Sequence, residues 1–200
     1  MPGRLEVVCG SMFSGKSEEL IRRLRRAHYA KIPVQAFKHS FDNRNSLEHI
    51  SSHNGTLLHA IPCRDSHEVK RALRSDVKVI GIDEAQFFDA DLVSLIHTLV
   101  RKGVRVIVAG LDMDFRGIPF GIMPTLMALA DEVQKLKAVC AQTGAEAHFT
   151  QRLVNGKPAR HSDPIILVGA QEHYEARSRE SFEIDSIPLD EYIEFHHKNI

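Results

Sequence analysis

Two constellations in this sequence have the residue types and the spacing to handle phosphate. The first is Gly10-Ser11-Met12-Phe13-Ser14-Gly15-Lys16-Ser17, which fits G-x-x-x-x-G-K-[ST], the phosphate-cradling P-loop. Gly10 and Gly15 permit backbone conformations that a side chain would block. The N–H groups of the loop can then point at phosphate oxygens, helped by the positive N-terminal end of the helix that follows. Lys16 can reach the β- and γ-phosphates, and Ser17 can place its hydroxyl on Mg2+. The second constellation is Asp83-Glu84, which ends the apolar run Val79-Ile80-Gly81-Ile82. In P-loop proteins an acid in this place holds Mg2+, directly or through water. Successive strand side chains face opposite ways, so the two acids need not share one task. One can serve the metal while the other faces a substrate hydroxyl as general base. Taken singly, the motifs read as a glycine-rich turn and a solvated strand end. Taken together, at the carboxyl end where α/β sheets bind ligands, they read as a site.

The elements that would position these groups follow from patterning. Leu5 to Cys9 reads as a strand entering the loop. Ser17 to Ala30 reads as a helix, with Leu20, Ile21, Leu24 and Ala27 at helical spacing. Further strands are expected at 34–38, 77–82, 104–109 and 133–139, and further helices at 66–73, 90–102 and 124–130. Ser66 is a candidate N-cap, and Gly103 suits the end of the third helix. Strands alternating with helices imply an α/β fold with a parallel sheet covered on both faces. The polar stretch from His39 to Gly55 reads as a loop. After Cys140 turn residues become common, including Asn155-Gly156, Pro158 and Asp163-Pro164. The expected division is 1–139 as an ATP-binding domain, 140–182 as a small irregular subdomain and 183–200 as a tail.

Composition excludes several classes. Of 200 residues 43% are hydrophobic, enough for one real core. The 26 basic and 26 acidic residues balance, so no global field points to nucleic acid. No apolar run is long enough to span a bilayer, and the N-terminus has no secretory apolar stretch. Cys9, Cys63 and Cys140 are far apart and odd in number, unlike a disulfide framework. A cytoplasmic protein is expected. Arg22, Arg23, Arg25 and Arg26 flank the apolar stripe of the first helix; contact with phosphate or a partner subunit is one reading, and a solvated face is the preferred one.

Longer patterns sharpen the reading. Asp83-Glu84-Ala85-Gln86-Phe87-Phe88, Ala109-Gly110-Leu111-Asp112 with Phe115-Arg116-Gly117 and Pro119-Phe120-Gly121, Thr150-Gln151-Arg152-Leu153, and Ile166-Leu167-Val168-Gly169-Ala170 with Tyr174 stand in that order. On these motifs and the P-loop the chain resembles the type II thymidine kinase family, over roughly residues 4 to 181. The resemblance implies a P-loop NTPase-type sheet with a C-terminal lasso, and transfer of the γ-phosphate of ATP to the 5′-hydroxyl of thymidine or deoxyuridine. It implies Glu84 as general base, Lys16 at the transferred phosphate, Arg44, with Asp42, as a further catalytic residue near the phosphates or the sugar end, and Gly10 to Ser17 with Asp83 and Gln86 around ATP and Mg2+. It implies a nucleoside site made by Met12, Asp42, Phe87, Leu111, Phe115, Phe120, Ile165, Ile166, Leu167, Val168, Gly169 and Tyr174. Its implied partners are a nucleoside, ATP and further copies of the chain in a homotetramer, with no nucleic acid and no membrane. Core packing competes as a role for the phenylalanines. It is favoured for Phe88 and weaker for Phe115 and Phe120, whose stretch is rich in Gly and Pro.

One departure stands out. The family's structural zinc is held by two C-x-x-C pairs, and those positions here are Cys140, Thr143, Ser178 and Ser181. Hydroxyls are poor zinc ligands beside thiolates. No structural zinc is expected, even with His148, His161 and His173 in the same stretch. Hydrogen bonds among Thr143, Ser178 and Ser181 are expected in its place. Two other readings compete with a kinase: a nucleotide-dependent switch, and a catalytically inactive relative. A switch has no use for a Phe-lined pocket beside an acidic base, and an inactive relative would not need Lys16, Ser17, Asp83 and Glu84.

Overall fold

A computed structural model describes residues 2–41, 49–51, 57–165 and 172–185. In chain order the elements are β1 (Arg4–Gly10), α1 (Lys16–Tyr29), β2 (Val34–His39), β3 (His49–Ser51), β4 (Leu57–His59), β5 (Ile61–Cys63), α2 (Ser66–Ala72) and β6 (Val79–Asp83). There follow α3 (Asp91–Arg101), β7 (Arg105–Gly110), α4 (Met123–Leu129), β8 (Glu132–Leu136), β9 (Ala138–Val139), β10 (Glu146–Ala147), β11 (Phe149–Val154), β12 (Lys157–Pro158) and β13 (Glu172–Arg177). A 3-10 turn, Ala85–Phe87, follows β6. The central sheet has six strands in the order β5-β2-β6-β7-β1-β8, all parallel. No helix among the described residues is long and apolar enough to cross a membrane.

Strand alternation builds the core twice. Val7, Ile80, Ile82, Val106 and Val108 face α2, α3 and α4 through Val69, Leu92, Ile96, Met123 and Leu126. Val8, Val79, Ile107 and Ala109 face α1 through Leu20, Ile21, Leu24 and Ala27. The contact with α1 is close: a Cβ on Gly81 would lie 2.4 Å from Leu24 Cδ1. Two buried faces explain why these strands read as continuous apolar runs.

Several expectations need correction. The segment between His39 and Gly55, read as loop, contains β3, which pairs antiparallel with β4. The run 133–139 is two strands, not one. β8 extends the parallel sheet on β1, and the chain then turns at Lys137 so that β9 pairs antiparallel with β10. The N-cap of α2 is Asp65, whose carboxylate accepts the Glu68 N–H at 2.8 Å, and not Ser66. The stretch after Cys140 is more regular than its turn residues suggest, since β12, β11 and β13 form an antiparallel sheet. Asn155 and Gly156, at φ of 52° and 76°, make its tight hairpin turn.

Arg23 is the fifth correction. It does not lie on a solvated face but is 8% exposed. Its guanidinium reaches Glu6 at 2.5 Å, Glu19 at 2.8 Å and Glu132 at 2.9 Å. Glu6, 1% exposed in the middle of β1, also holds Arg105 at 2.6 Å. Burial raises the Glu6 carboxyl, but the guanidinium groups of Arg105 and Arg23 outweigh it and bring the pKa below the usual value. Arg22, Arg25 and Arg26 are exposed, as a solvated face requires.

Candidate functional site

The P-loop leaves β1 at Gly10, with φ at +140°, and closes at Gly15, with φ at +86°. A Cβ on Gly10 would lie 2.3 Å from the Leu136 carbonyl oxygen of β8, whereas nothing stands within 4 Å of one on Gly15. Gly10 is therefore required by contact as well as by conformation, Gly15 by conformation alone. Inside the loop Ser14 Oγ donates to the Ser11 carbonyl at 2.8 Å, and Lys16 Nζ donates to the same oxygen at 2.7 Å. The Met12 N–H donates to Thr150 Oγ1 at 3.0 Å, which ties the loop to β11. Phe13 is exposed at the tip, with φ at +65°. Ser11 is buried, and its hydroxyl oxygen has no hydrogen-bond partner among the described residues.

β6 brings the acids to this loop. Ser17 Oγ donates to Asp83 Oδ2 at 3.0 Å. Burial and the neighbouring Glu84 charge push Asp83 up, to about 7, against the hydroxyl of Ser17 and the ammonium of Lys16. A hydroxyl and a carboxylate are hard oxygen donors, suited to Mg2+ shared with phosphate oxygens. A bound cation there would favour the ionised carboxylate.

Glu84 turns out of the sheet in the left-handed region, at φ 55° and ψ 41°. That conformation costs a non-glycine residue roughly 1–2 kcal/mol and is the kind of strain that collects at functional sites. Its surroundings fix it there. The Glu84 N–H donates to Asp83 Oδ1 at 3.0 Å, the Phe87 N–H donates to the Glu84 carbonyl at 3.2 Å, and Gln86 Nε2 donates to Glu84 Oε2 at 2.5 Å. Gln86 is buried and spans two elements, because its Oε1 accepts the Leu111 N–H at 3.0 Å. The resemblance places Gln86 beside ATP. In the structure its side chain joins Glu84 to the end of β7.

The loop after β7 closes on the same turn. A Cβ on Gly121 would meet the Gln86 carbonyl at 2.2 Å. Asp114 organises the loop by accepting from the N–H groups of Arg116, at 2.8 Å, and Ile118, at 3.2 Å. Phe120 meets Phe87 edge-on at 5.5 Å, and Phe41 and His39 extend the aromatic group to 5.8 Å and 5.7 Å from Phe87. The Phe41 N–H donates to His39 Nδ1, so Nε2 carries the proton and donates to the Arg64 carbonyl at 3.0 Å. Burial holds the His39 ring below its ordinary value, consistent with this neutral tautomer. Phe115 differs from Phe87 and Phe120: it is 5% exposed, with the Arg152 guanidinium 4.8 Å over its ring. Phe88 is in the core. Met12 and Leu111 are half-buried near the loop, Ile165 is exposed, and Tyr174 lies opposite Arg152 in the β11–β13 pair. Asp42, Arg44, Ile166, Leu167, Val168 and Gly169 fall outside the described residues.

Sequence reasoning missed His39 and Phe41 as aromatic neighbours of Phe87, Arg152 as a fully buried cation, and Asp112 as a buried acid. The signal for the first pair was an aromatic residue two positions after the end of a strand.

Away from this site, Cys140 Sγ lies 3.1 Å from Ser181 Oγ, which lies 3.0 Å from Ser178 Oγ. Burial raises the Cys140 thiol. The hydroxyls of Ser181 and Thr143 and the N–H groups of Ser178 and Thr143 pull it down further, to about 5. One sulfur among hydroxyls does not make the closed set of soft or borderline donors that structural zinc needs. Among the described residues no three His, Cys, Asp or Glu side chains converge. All three cysteines are free and buried.

A P-loop on β1, an acid-tipped β6 and an intervening β7 define a P-loop nucleotide-binding α/β protein. A family model described as thymidine kinase matches residues 3–182. The chain belongs to the thymidine kinase family, whose members are ATP-dependent nucleoside kinases.

Proposed function

We propose that this enzyme transfers the γ-phosphate of ATP to the 5′-hydroxyl of thymidine, and of deoxyuridine, with Glu84 as the general base. The observation that supports Glu84 most directly is its placement: a left-handed backbone turn, with the carboxylate anchored by Gln86 between the P-loop acid Asp83 and the end of β7. Such anchoring orients a base without requiring it to move. Lys16, now on the Ser11 carbonyl, turns to the transferred phosphate when ATP enters. Mg2+ would be held by Ser17 and Asp83 and would neutralise charge developing on the phosphoryl oxygens. Phe87 and Phe120 offer flat apolar surface to a pyrimidine. Met12, Leu111, Phe115 and Tyr174 complete that reading, with Asp42, Arg44 and residues 165–169 assigned from resemblance. The donor set at Cys140 supports a C-terminal region folded without zinc. A cytoplasmic homotetramer follows from resemblance.

The test is transfer of label from γ-labelled ATP and Mg2+ to thymidine, with Glu84→Gln beside the wild type. The reading expects labelled thymidine monophosphate from the wild type and a loss of about 10²–10⁴-fold in kcat from the variant, as removal of a general base gives. Equal rates from the two proteins contradict it.

A further inference from the structure

An ion pair crosses the strand that feeds the P-loop. β1 lies between β7 and β8. Asp112, two residues past the end of β7, reaches Lys135 on β8, with Nζ 2.7 Å from Oδ2. Asp112 is 5% exposed, and its Oδ1 has no hydrogen-bond partner among the described residues. The Lys135 side chain is 45% exposed. A buried carboxylate with so few partners is a poor source of stability, because apolar side chains of similar size often serve as well. Position accounts for it better. Lys135 is in register with Cys9, and the next residue, Leu136, with Gly10. The Leu136 carbonyl stands 2.3 Å from where a Gly10 Cβ would lie. β8 is an edge strand, paired on one side by β1, and its exposed residues leave it little apolar anchorage. Asp112 is itself fixed, since its carbonyl accepts the Phe120 N–H at 3.0 Å. After burial, the Asp112 charge is the largest influence raising the Cys9 thiol, as expected for an acid lying over the end of β1.

We propose that Asp112, acting through Lys135, is a positioning residue for the ATP site: the pair clamps β8 across β1 and so holds the Leu136 carbonyl against Gly10. The clamp rests on the kinase reading only for its consequence in catalysis. Its direct effect is on the shape of the phosphate cradle. The charge is needed because it ties an edge strand, paired on one side only, to a loop held by its own backbone hydrogen bond.

The experiment titrates wild type, Lys135→Met, Asp112→Asn and the double variant with Mg2+ and a non-hydrolysable ATP analogue, and separately with thymidine. Melting temperatures are recorded alongside. Lys135 is half exposed, so its variant keeps the fold even if Asp112→Asn does not. Each single variant is expected to raise the Kd of the analogue about tenfold while the Kd of thymidine stays within about twofold, the split that marks an effect on one ligand alone. The double variant is expected to match the worse single one, because the two residues act as a unit. An unchanged analogue Kd in Lys135→Met overturns the proposal, as does an equal change for both ligands. A wild type that binds the analogue yet phosphorylates no thymidine contradicts the kinase reading and leaves the binding comparison to decide the clamp.

Discussion

At Gly10–Ser17, with Asp83 and Glu84, every position the proposed mechanism uses holds a residue type that phosphoryl transfer can use. At Cys140, Thr143, Ser178 and Ser181, the positions that the resemblance matches to zinc ligands, three of the four residues carry hydroxyls. Both groups nevertheless come together in space. The difference lies in what each must do. A phosphate cradle has to present particular charges to a ligand at particular points, so no other set of atoms substitutes. On the proposed reading the second cluster has only to satisfy its own polar groups and exclude water, and a sulfur among serine hydroxyls can do that with hydrogen bonds. On the proposed reading, chemistry constrains the first region by residue type and the second only by mutual fit.

The sharpest way to break this contrast is at the glycines. Gly10→Ala places a Cβ 2.3 Å from the Leu136 carbonyl at a φ of +140°, and strain of several kcal/mol predicts a fall in ATP affinity of about 100-fold or more. Gly15→Ala meets no atom within 4 Å and is expected to cost only about 1–2 kcal/mol. Equal losses from the two, measured by titration with an ATP analogue, would break the account of the cradle.

The buried ion network comes next. Arg23→Met leaves Glu6 buried beside fewer cations and is expected to lower unfolding stability by about 3–5 kcal/mol, read from urea denaturation. Its pH dependence has a definite sign. Hydrogen bonding to Arg22, then to Arg23, holds the Glu19 carboxyl down at about 2 despite burial, and Glu6 is lowered as well. A depressed acid contributes stability that is complete above its unfolded value, 4.5, and disappears as pH falls toward the folded one. The wild type is expected to lose stability between about pH 4.5 and 2 more steeply than Arg23→Met does. Parallel acid curves would contradict the network.

The smallest effects belong to the Cys140 cluster. Ser181→Ala removes the hydroxyl between Sγ and Ser178 Oγ and is expected to cost about 1 kcal/mol, the usual worth of one such group. A chelator is expected to stop catalysis by withdrawing Mg2+ yet leave the melting temperature unchanged, and elemental analysis to find no stoichiometric zinc. Stoichiometric zinc, or a melting temperature that collapses with chelator, would erase the contrast between the two regions.

The sheet was legible because both its faces are buried, which makes its strands apolar runs between helical periods. That Gly10–Ser17 and Asp83-Glu84 would meet was legible because both stand at the carboxyl ends of strands of one parallel sheet. The misses have physical reasons. β3 and β4 are three residues each, too short to show a period. The run 133–139 keeps its alternation through Lys137, although its hydrogen bonds change sheets there. Arg23 looked like one of four surface arginines, and the signal that could have found its partner was Glu6, an acid inside an apolar strand. Asp65 and Ser66 are both good N-caps, and only backbone geometry decides between them. Gln86 reads as one polar letter in a motif, while its side chain reaches from the turn after β6 to Leu111 at the end of the neighbouring β7.

The central claim is that Glu84 takes the proton from the nucleoside 5′-hydroxyl while ATP lies in the P-loop. The most direct measurement is a crystal structure with thymidine, Mg2+ and a non-hydrolysable ATP analogue. The account predicts the 5′-oxygen within about 3 Å of a Glu84 carboxylate oxygen, in line with the γ-phosphate. A 5′-oxygen bound elsewhere, with Glu84 directed away from it, would contradict the account.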